Sequence, residues 1–146
     1  MTGGMVREIS FRYRRTGIRA ERVRGAAEAA RIAQRLIGAS VQEEVLVLCL
    51  DTGGHVQAVE RVAKGTVGEC RVTLRDVFRA AVATNAARII VAHNHPTGET
   101  APSQPDIDLT RRMREAADLL GITLCDHLIV TDGAWLSLRD AQLANW

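Results

Sequence analysis

The most chemically informative residues of this sequence are two histidines and an aspartate within residues 93–106, in the stretch HNHPTGETAPSQPD. His93 and His95 are separated by one residue, and on a strand that spacing sends both side chains to the same side. Two neutral imidazoles suit zinc and leave room for a carboxylate oxygen, which Asp106 can supply, and for a water. A zinc ion with three protein ligands lowers the pKa of its water to about 7. The spacing therefore predicts a one-metal hydrolytic site.

The segment between the histidines and the aspartate is a proline-rich loop. It holds all three prolines of the chain, which exclude regular structure and indicate a stiff loop of the kind that carries sites. Ser103 and Asp106 open the next helix in the S-x-x-D pattern of a capping box. That pattern explains both residues without a metal, and two histidines at a strand end can simply bond loop carbonyls. Capping and ligation are compatible, because a capping carboxylate is held rigidly in the first helical turn.

Hydrophobic periodicity predicts the elements that must position these residues. The run VLVLCL is apolar on both faces and indicates a central strand, and residues 88–92 form the short strand that leads to His93. Strands are also expected over 8–14, where they start the sheet, and over 55–62, 122–130 and 135–138. Helices are expected over 20–36, from the Thr73 capping box to Asn85, and from Asp106 to Gly121. The predicted fold class is α/β or α+β, a mixed sheet flanked by helices.

Composition and length limit the class of protein. A chain of 146 residues with 47% hydrophobic and 25% charged residues is one globular domain. The longest apolar run is far shorter than the roughly 20 residues of a membrane span, so we expect a cytoplasmic protein without membrane association. Cys49, Cys70 and Cys125 are odd in number and lack CxxC spacing, so we expect reduced thiols rather than disulfides or a thiolate zinc site.

The N-terminus is strongly basic, although the whole chain carries only +2. Residues 1–24 carry +5, from seven arginines against Glu8 and Glu21, which could bind nucleic-acid phosphates. A solvated strand and helix face is the simpler interpretation, because only Phe11 and Tyr13 could stack on bases. We assign residues 1–42 to a basic N-terminal strand and helix, and residues 43–146 to the metal-site core of the same domain. The arginines of this arm are Arg7, Arg12, Arg14, Arg15, Arg19, Arg22 and Arg24.

The residues of the predicted site resemble a known family. His93-x-His95, seven residues, Ser103, two residues and Asp106 match the H-x-H-x7-S-x2-D signature of the JAMM/MPN metalloproteases without a gap. The stretch AHNHPTGETAPSQPDIDLT, with VFRAAVATNAARIIV before it and LLGITLCDHLIV after it, is similar to the bacterial RadC-type branch. The similarity extends from about residue 43 to about residue 138. It implies the cytidine-deaminase-like architecture of that superfamily and one zinc ion per chain.

The resemblance also implies roles for residues outside the ligand set. The superfamily uses a glutamate on an earlier strand, which matches Glu43, eight residues before Asp51. Strand alternation sends Glu43 and Glu44 to opposite faces, so only one can reach the site; Glu44 stays the alternative, and a polar strand entry explains both. Glu43 would take a proton from the attacking water and deliver it to the leaving amine, and Ser103 would donate a hydrogen bond to the oxyanion.

Three further polar residues are less specific. Asp126 and His127 match a DH pair of the RadC-type branch, which implies that His127 supports the metal ligands from behind. A buried, hydrogen-bonded core histidine is an equally good interpretation of the same residue. Glu99 lies in the proline-rich loop and is expected to be solvated.

The leading functional hypothesis is a zinc-dependent metallohydrolase, of metallopeptidase or isopeptidase type, that acts on a peptide or isopeptide substrate. The second is a DNA-associated repair module, suggested only by the family name; we find no counterpart of the helix-hairpin-helix segment that long RadC-type proteins carry. The third is an inactive metal-binding scaffold. The letters HNH at 93–95 do not indicate an HNH nuclease, whose three residues are dispersed, and an amidohydrolase barrel needs roughly 200 residues or more. No motif specifies the physiological substrate or the oligomeric state.

Overall fold

The computed structural model describes residues 3–19, 21–65 and 72–146; Cys70 and the thiol state expected for it lie outside them. Cys49 and Cys125 are free thiols, as expected, and lie in two strands of the sheet. None of the helices in the described residues combines the length and apolar character needed to cross a membrane. In chain order the elements are α1 (Ala26–Ala33), which continues as a π-helical turn (Gln34–Gly38), β1 (Glu44–Leu50), β2 (Val56–Lys64), α2 (Leu74–Ala83), β3 (Arg88–Asn94), α3 (Gln104–Leu120), β4 (Thr123–Val130) and β5 (Trp135–Ser137).

The strands form one mixed sheet in the order β2-β1-β3-β4-β5. Strands β3 and β4 run parallel, and the other neighbours are antiparallel. Strand β1, which contains the VLVLCL run, is buried along its whole length because it pairs on both edges and is covered on both faces. The mixed sheet flanked by helices confirms the predicted fold class.

The two faces of the sheet have separate hydrophobic cores. Leu46, Leu48 and Leu128 pack on the α1 side. Val47 and Val91 pack with residues of α2 and α3 on the other side. Because side chains alternate along a strand, each polar residue at a strand end lies on one of these two faces.

The strand predicted over 8–14 is wrong. Residues 3–19 have no regular structure, and Ile9, Phe11 and Tyr13, the apolar half of the alternation, are 80%, 62% and 75% exposed. Alternation indicates a strand only where a sheet edge accepts the hydrogen bonds and a core accepts the apolar face. Among the described residues, this arm has neither. The sheet therefore begins at β1. The isolated bridge between Arg22 and His55 is where the described N-terminal segment first pairs with the rest of the chain.

The first helix begins later than the predicted residue 20. The Glu28 carboxylate accepts the backbone N–H groups of Arg24 and Gly25 at 2.7 Å each and starts α1 at Ala26. The segment before α1, around Arg22, instead forms hydrogen bonds with residues at the start of β2. The helical stretch ends at Gly38, as predicted, and a Cβ there would lie 3.2 Å from the Thr131 carbonyl oxygen.

The two later helices begin at matching capping boxes. In α2 the Thr73 hydroxyl accepts the Asp76 N–H at 3.2 Å, and the Asp76 carboxylate accepts the Thr73 N–H at 3.1 Å. In α3 Ser103 and Asp106 make the same reciprocal pair. Helix α3 ends at Gly121, which adopts the left-handed conformation with φ 70° that glycine tolerates best. These boundaries agree with the capping signals of the sequence.

Candidate metal centre

Four side chains from three different elements meet at one end of the sheet. His93 is the penultimate residue of β3, His95 follows that strand, Asp106 lies in the first turn of α3, and Glu43 directly precedes β1. The antiparallel register places Val45 opposite His93, so the start of β1 lies beside the end of β3. One potential ligand atom from each of the four residues lies within 4.8 Å of the others. The sequence-predicted ligands and the predicted base are therefore brought together.

The imidazoles and the carboxylate point at a common centre. The two Nε2 atoms of His93 and His95 are 2.9 Å apart. Asp106 Oδ1 lies 3.3 Å from His93 Nε2, and Asp106 Oδ2 lies 3.3 Å from His95 Nε2. Tetrahedral zinc with bonds of about 2.0–2.1 Å separates its ligand atoms by roughly 3.3–3.4 Å, so the spacing suits one small cation.

The cluster is largely withdrawn from solvent, which strengthens its electrostatics. The side chains of His93, Asp106 and His95 are 4%, 14% and 18% exposed. Hydrogen bonding to Asp106 outweighs burial and raises the pKa of His95 above its usual range. Burial acts to raise the pKa of Asp106, but hydrogen bonds from His93, His95 and the Ser103 amide outweigh it and hold that pKa far below the usual range. Asp106 is therefore a carboxylate, as a metal ligand must be.

Each ligand is oriented by further hydrogen bonds. The His95 Nδ1 atom lies 2.9 Å from the Glu99 carbonyl oxygen, and its backbone N–H donates to Val130 at 3.1 Å. The side chain of Glu99 is exposed, so the loop contributes a carbonyl rather than a carboxylate. The His93 Nδ1 atom lies 2.8 Å from His127 Nε2. The loop and β4 thus fix the two imidazole rings.

Asp106 combines two functions that the sequence left as alternatives. Its Oδ2 atom accepts the Ser103 N–H at 2.9 Å, which completes the capping box, and also faces His95. The Ser103 hydroxyl oxygen accepts the Asp106 N–H at 3.2 Å, which leaves its own proton free to donate to another group. Ser103 is exposed at the rim of the cluster. The same carboxylate caps α3 and joins the potential metal-binding cluster.

Glu43 and Glu44 lie on opposite faces. Glu43 joins the two histidines and Asp106. Glu44 is buried on the other side, where its Oε1 atom accepts from Arg61 Nη1 at 3.2 Å. The geometry separates the two candidates for the base and leaves Glu43 beside the cluster.

Asn94 is a supporting residue that the sequence analysis missed. Its Oδ1 atom accepts the Glu44 N–H at 2.6 Å, and its Nδ2 atom donates to the Gln42 and Ser40 carbonyls at 2.9 and 3.2 Å. These bonds hold the segment that delivers Glu43 to the site. Its position between the two histidines was the available signal, because alternation places it on the opposite face.

Asp126 and His127 also separate by face. The buried Asp126 carboxylate accepts the Ser137 hydroxyl at 2.6 Å and the Arg139 N–H at 3.3 Å, so it connects β4 to β5 and does not join the metal cluster. Burial raises the pKa of Asp126. His127 is buried against His93, and burial lowers the pKa of His127 well below its usual range. Its other ring nitrogen, Nδ1, lies 2.6 Å from the hydroxyl of Thr110, a residue that no motif singled out.

An α+β domain in which two histidines at a strand end face an aspartate in the first turn of the next helix has the layout of a JAB/MPN-type domain with a potential metal-binding cluster. A family model described as RadC-like JAB domain matches residues 23–143, and the chain belongs to that family. This confirms the resemblance seen in the sequence.

Several curated bacterial proteins are similar to this chain, and all three named here are called UPF0758 proteins. The one from Roseiflexus castenholzii is 39% identical over 122 residues, which cover 84% of this chain and 52% of that protein. The one from Geotalea uraniireducens is 46% identical and covers 68% and 43%; the one from Geobacter sulfurreducens is 41% identical and covers 70% and 44%. The chain therefore spans about half the length of the curated relatives it matches.

Proposed function

We propose that the protein is a zinc-dependent metallohydrolase of the metallopeptidase or isopeptidase type, with an amide bond as its target. The observation that carries this proposal is the convergence of both Nε2 atoms and both Asp106 oxygens on one centre, with the Glu43 carboxylate beside it. His93, His95 and Asp106 would hold one ion. A single zinc ion supplies an acidified water and polarises a carbonyl group when bound.

The donor set fits such an ion. Both Nδ1 atoms are engaged by neighbouring groups, His95 with the Glu99 carbonyl and His93 with His127. The Nε2 atoms and the Asp106 oxygens are then left facing one another within 3.3 Å, and a set of acceptors needs a cation at its centre. Ferrous iron also accepts two imidazoles and a carboxylate, so the identity of the metal is part of the test.

The remaining residues supply the proton transfers and the polar contacts. The Glu43 carboxylate would accept a proton from the attacking water and return it to the leaving amine. The free hydroxyl proton of Ser103 would donate to the oxygen that becomes negative during attack. The buried ring of His93 and the largely buried ring of His95 exclude bulk water from one side of the cluster.

The test combines metal analysis with a pair of neighbouring variants. Protein purified without a histidine tag should contain about one zinc per chain. Incubation with a mixture of synthetic peptides, followed by mass spectrometry, should reveal cleavage products. We expect Glu43→Gln to keep its zinc and to slow cleavage about 10²- to 10⁴-fold, the usual contribution of a general base.

The matched control is Glu44→Gln, because Glu44 is one residue away and faces the opposite side of the sheet. It should lose part of its contact with Arg61 but cleave at the wild-type rate. Wild-type protein without any bound metal would contradict the proposal. Equal loss of activity in the two variants would contradict the role of Glu43.

A second candidate function is nucleic-acid binding by the N-terminal arm. Its support is the exposure of Arg7, Arg12, Arg14 and Arg15 on a segment without regular structure. Contacts between arginines and phosphates release counterions, so binding to duplex DNA should weaken steeply as salt rises. Binding that is absent at low salt, or independent of salt, would dismiss this candidate.

A further inference from the structure

A chain of hydrogen bonds connects two of the proposed metal ligands behind the site. His93 Nδ1 lies 2.8 Å from His127 Nε2, and His127 Nδ1 lies 2.6 Å from the Thr110 hydroxyl. The same hydroxyl lies 2.7 Å from the backbone carbonyl oxygen of Asp106. Thr110 and His127 are both fully buried, and neither belongs to the ligand set. The chain thus runs from the backbone of one ligand to the ring of another.

A Thr110 hydroxyl that donates to the Asp106 carbonyl determines the direction of the other hydrogen bonds in this chain. The Asp106 carbonyl oxygen can only accept a hydrogen bond, so the Thr110 hydroxyl donates its single proton to that bond. Thr110 can then only accept from His127, which must carry its proton on Nδ1. An uncharged imidazole has one N–H group, so His127 Nε2 carries no proton and accepts a hydrogen bond from the N–H group at His93 Nδ1. An uncharged His93 ring with its proton on Nδ1 has a free electron pair on Nε2.

We propose that Thr110 and His127 are positioning residues that fix His93 in the Nδ1–H tautomer, with the Nε2 electron pair directed at the metal centre. This inference rests on the proposed metal site and adds two residues to it. If the Thr110 hydroxyl pointed at His127 instead, each proton in the chain would move to the opposite partner. His93 would then carry its proton on Nε2 and could not bind the ion.

The second histidine ligand also directs an Nδ1 proton at a carbonyl oxygen, by a shorter route. His95 Nδ1 lies 2.9 Å from the Glu99 carbonyl, which also can only accept. One histidine is therefore fixed directly by a loop carbonyl, and the other is fixed by a helix carbonyl through two side chains. The indirect route couples the orientation of His93 on β3 to the first turn of α3, where Asp106 lies.

The first experiment reads the tautomers directly in metal-free wild-type protein. Correlation of ring ¹⁵N nuclei with carbon-bound ring protons distinguishes a protonated from an unprotonated nitrogen in each histidine. We expect His93 and His127 both to carry a proton on Nδ1, and His127 to be bare on Nε2. The Nε2 atom of His93 is not the readout in metal-free protein, because it also lies 3.3 Å from the Asp106 carboxylate. A His93 ring without a proton on Nδ1, or a His127 ring protonated on Nε2, would overturn the proposal. This measurement requires neither activity nor bound metal.

The second experiment measures zinc affinity by competition with a chromophoric chelator. Thr110→Val keeps the shape of the side chain but removes the hydroxyl, and we expect zinc to bind about 10- to 100-fold more weakly. Thr110→Ser restores the hydroxyl and should restore the affinity. Thr84→Val is the matched control, since the Thr84 hydroxyl also donates to the carbonyl four residues earlier, at 2.7 Å, but meets no histidine.

The outcomes separate this inference from the proposed function. Folded Thr110→Val protein that binds zinc as tightly as wild type would refute the positioning role. If Thr110→Val does not fold, the wild-type tautomers decide the question. Wild-type protein that shows the expected tautomers but binds no zinc would refute the proposed metalloenzyme and leave the hydrogen-bond chain established.

Discussion

Asp106→Asn and Asp76→Asn form a matched pair that separates helix capping from metal binding. Both aspartates occupy the third helical position of a capping box, in α3 and α2 respectively, and both accept the N–H of the N-cap residue. Only Asp106 faces two imidazoles. Asparagine keeps an oxygen for the capping bond in either helix but removes the negative charge.

The expected magnitudes differ once zinc is present. Loss of a charge near a helix N-terminus costs about 0.3–1 kcal/mol in either variant. Zinc at about a thousand times its dissociation constant stabilises the wild type by about 4.1 kcal/mol. Loss of a ligand should weaken binding at least as much as the roughly hundredfold upper effect of changing a supporting residue. A hundredfold weaker site would forfeit about 2.7 kcal/mol of the zinc-linked stabilisation.

Urea unfolding is monitored by circular dichroism, once with zinc and once with a chelator. It gives the free energy of unfolding of each protein in the two conditions. The quantity to compare is the difference between them, so each variant is its own reference. Asp76→Asn should gain as much from zinc as the wild type, and Asp106→Asn should gain much less. Equal gains in all three proteins would refute the assignment of Asp106 as a ligand. A lost gain in Asp76→Asn would show that the effect comes from helix stability.

Three further predictions concern regions outside the metal centre. Burial raises the pKa of Cys49 to about 11, so at pH 8 about one thiol in a thousand is ionised, and iodoacetamide should label Cys49 only after denaturation; rapid labelling of the folded protein would contradict this. Burial raises the pKa of Asp126, so the folded state holds the carboxyl proton more tightly than the unfolded state does. The wild type should therefore lose stability relative to Asp126→Asn as pH rises from 3.8 through the raised pKa. Parallel curves of stability against pH for the two proteins would contradict this. Removal of the exposed arm up to Arg15 should change the free energy of unfolding by less than about 1 kcal/mol. A larger change in that free energy, measured by urea unfolding, would show that the arm packs against the rest of the protein.

Much of the sheet and the convergence of His93, His95 and Asp106 could be predicted because the signals are local. A strand that is apolar on both faces is buried best in the middle of a sheet covered on both sides, and β1 occupies that position. Capping boxes at Thr73 and Ser103 define helix starts through bonds between residues three apart. The one-residue spacing of His93 and His95 likewise needs only strand geometry to bring the rings together.

Features that depend on distant partners could not be predicted in the same way. The alternation over 8–14 is as regular as that of a half-buried strand, but none of the five strands in the described residues pairs with it. Sequence alone does not reveal whether a partner strand is present. Thr110 looks like an ordinary helix residue until its hydroxyl is found against His127, which belongs to another element. Roles of this kind arise from packing between elements and leave no periodic trace.

The three letters HNH show how one strand end serves both faces of the sheet. Alternation turns His93 towards α3 and Asn94 towards α1, where the Asn94 amide binds the Glu44 N–H and the carbonyls before β1. That clamp fixes the start of β1, and therefore decides that Glu43 rather than Glu44 lies beside the histidines. A slip of one residue of the β1–β2 pair against β3 would exchange the faces and place the Glu44 carboxylate, with its Arg61 partner on β2, beside the two histidines. The register of the two central strands, secured by an asparagine between the two histidines, thus determines which carboxylate lies at the candidate site.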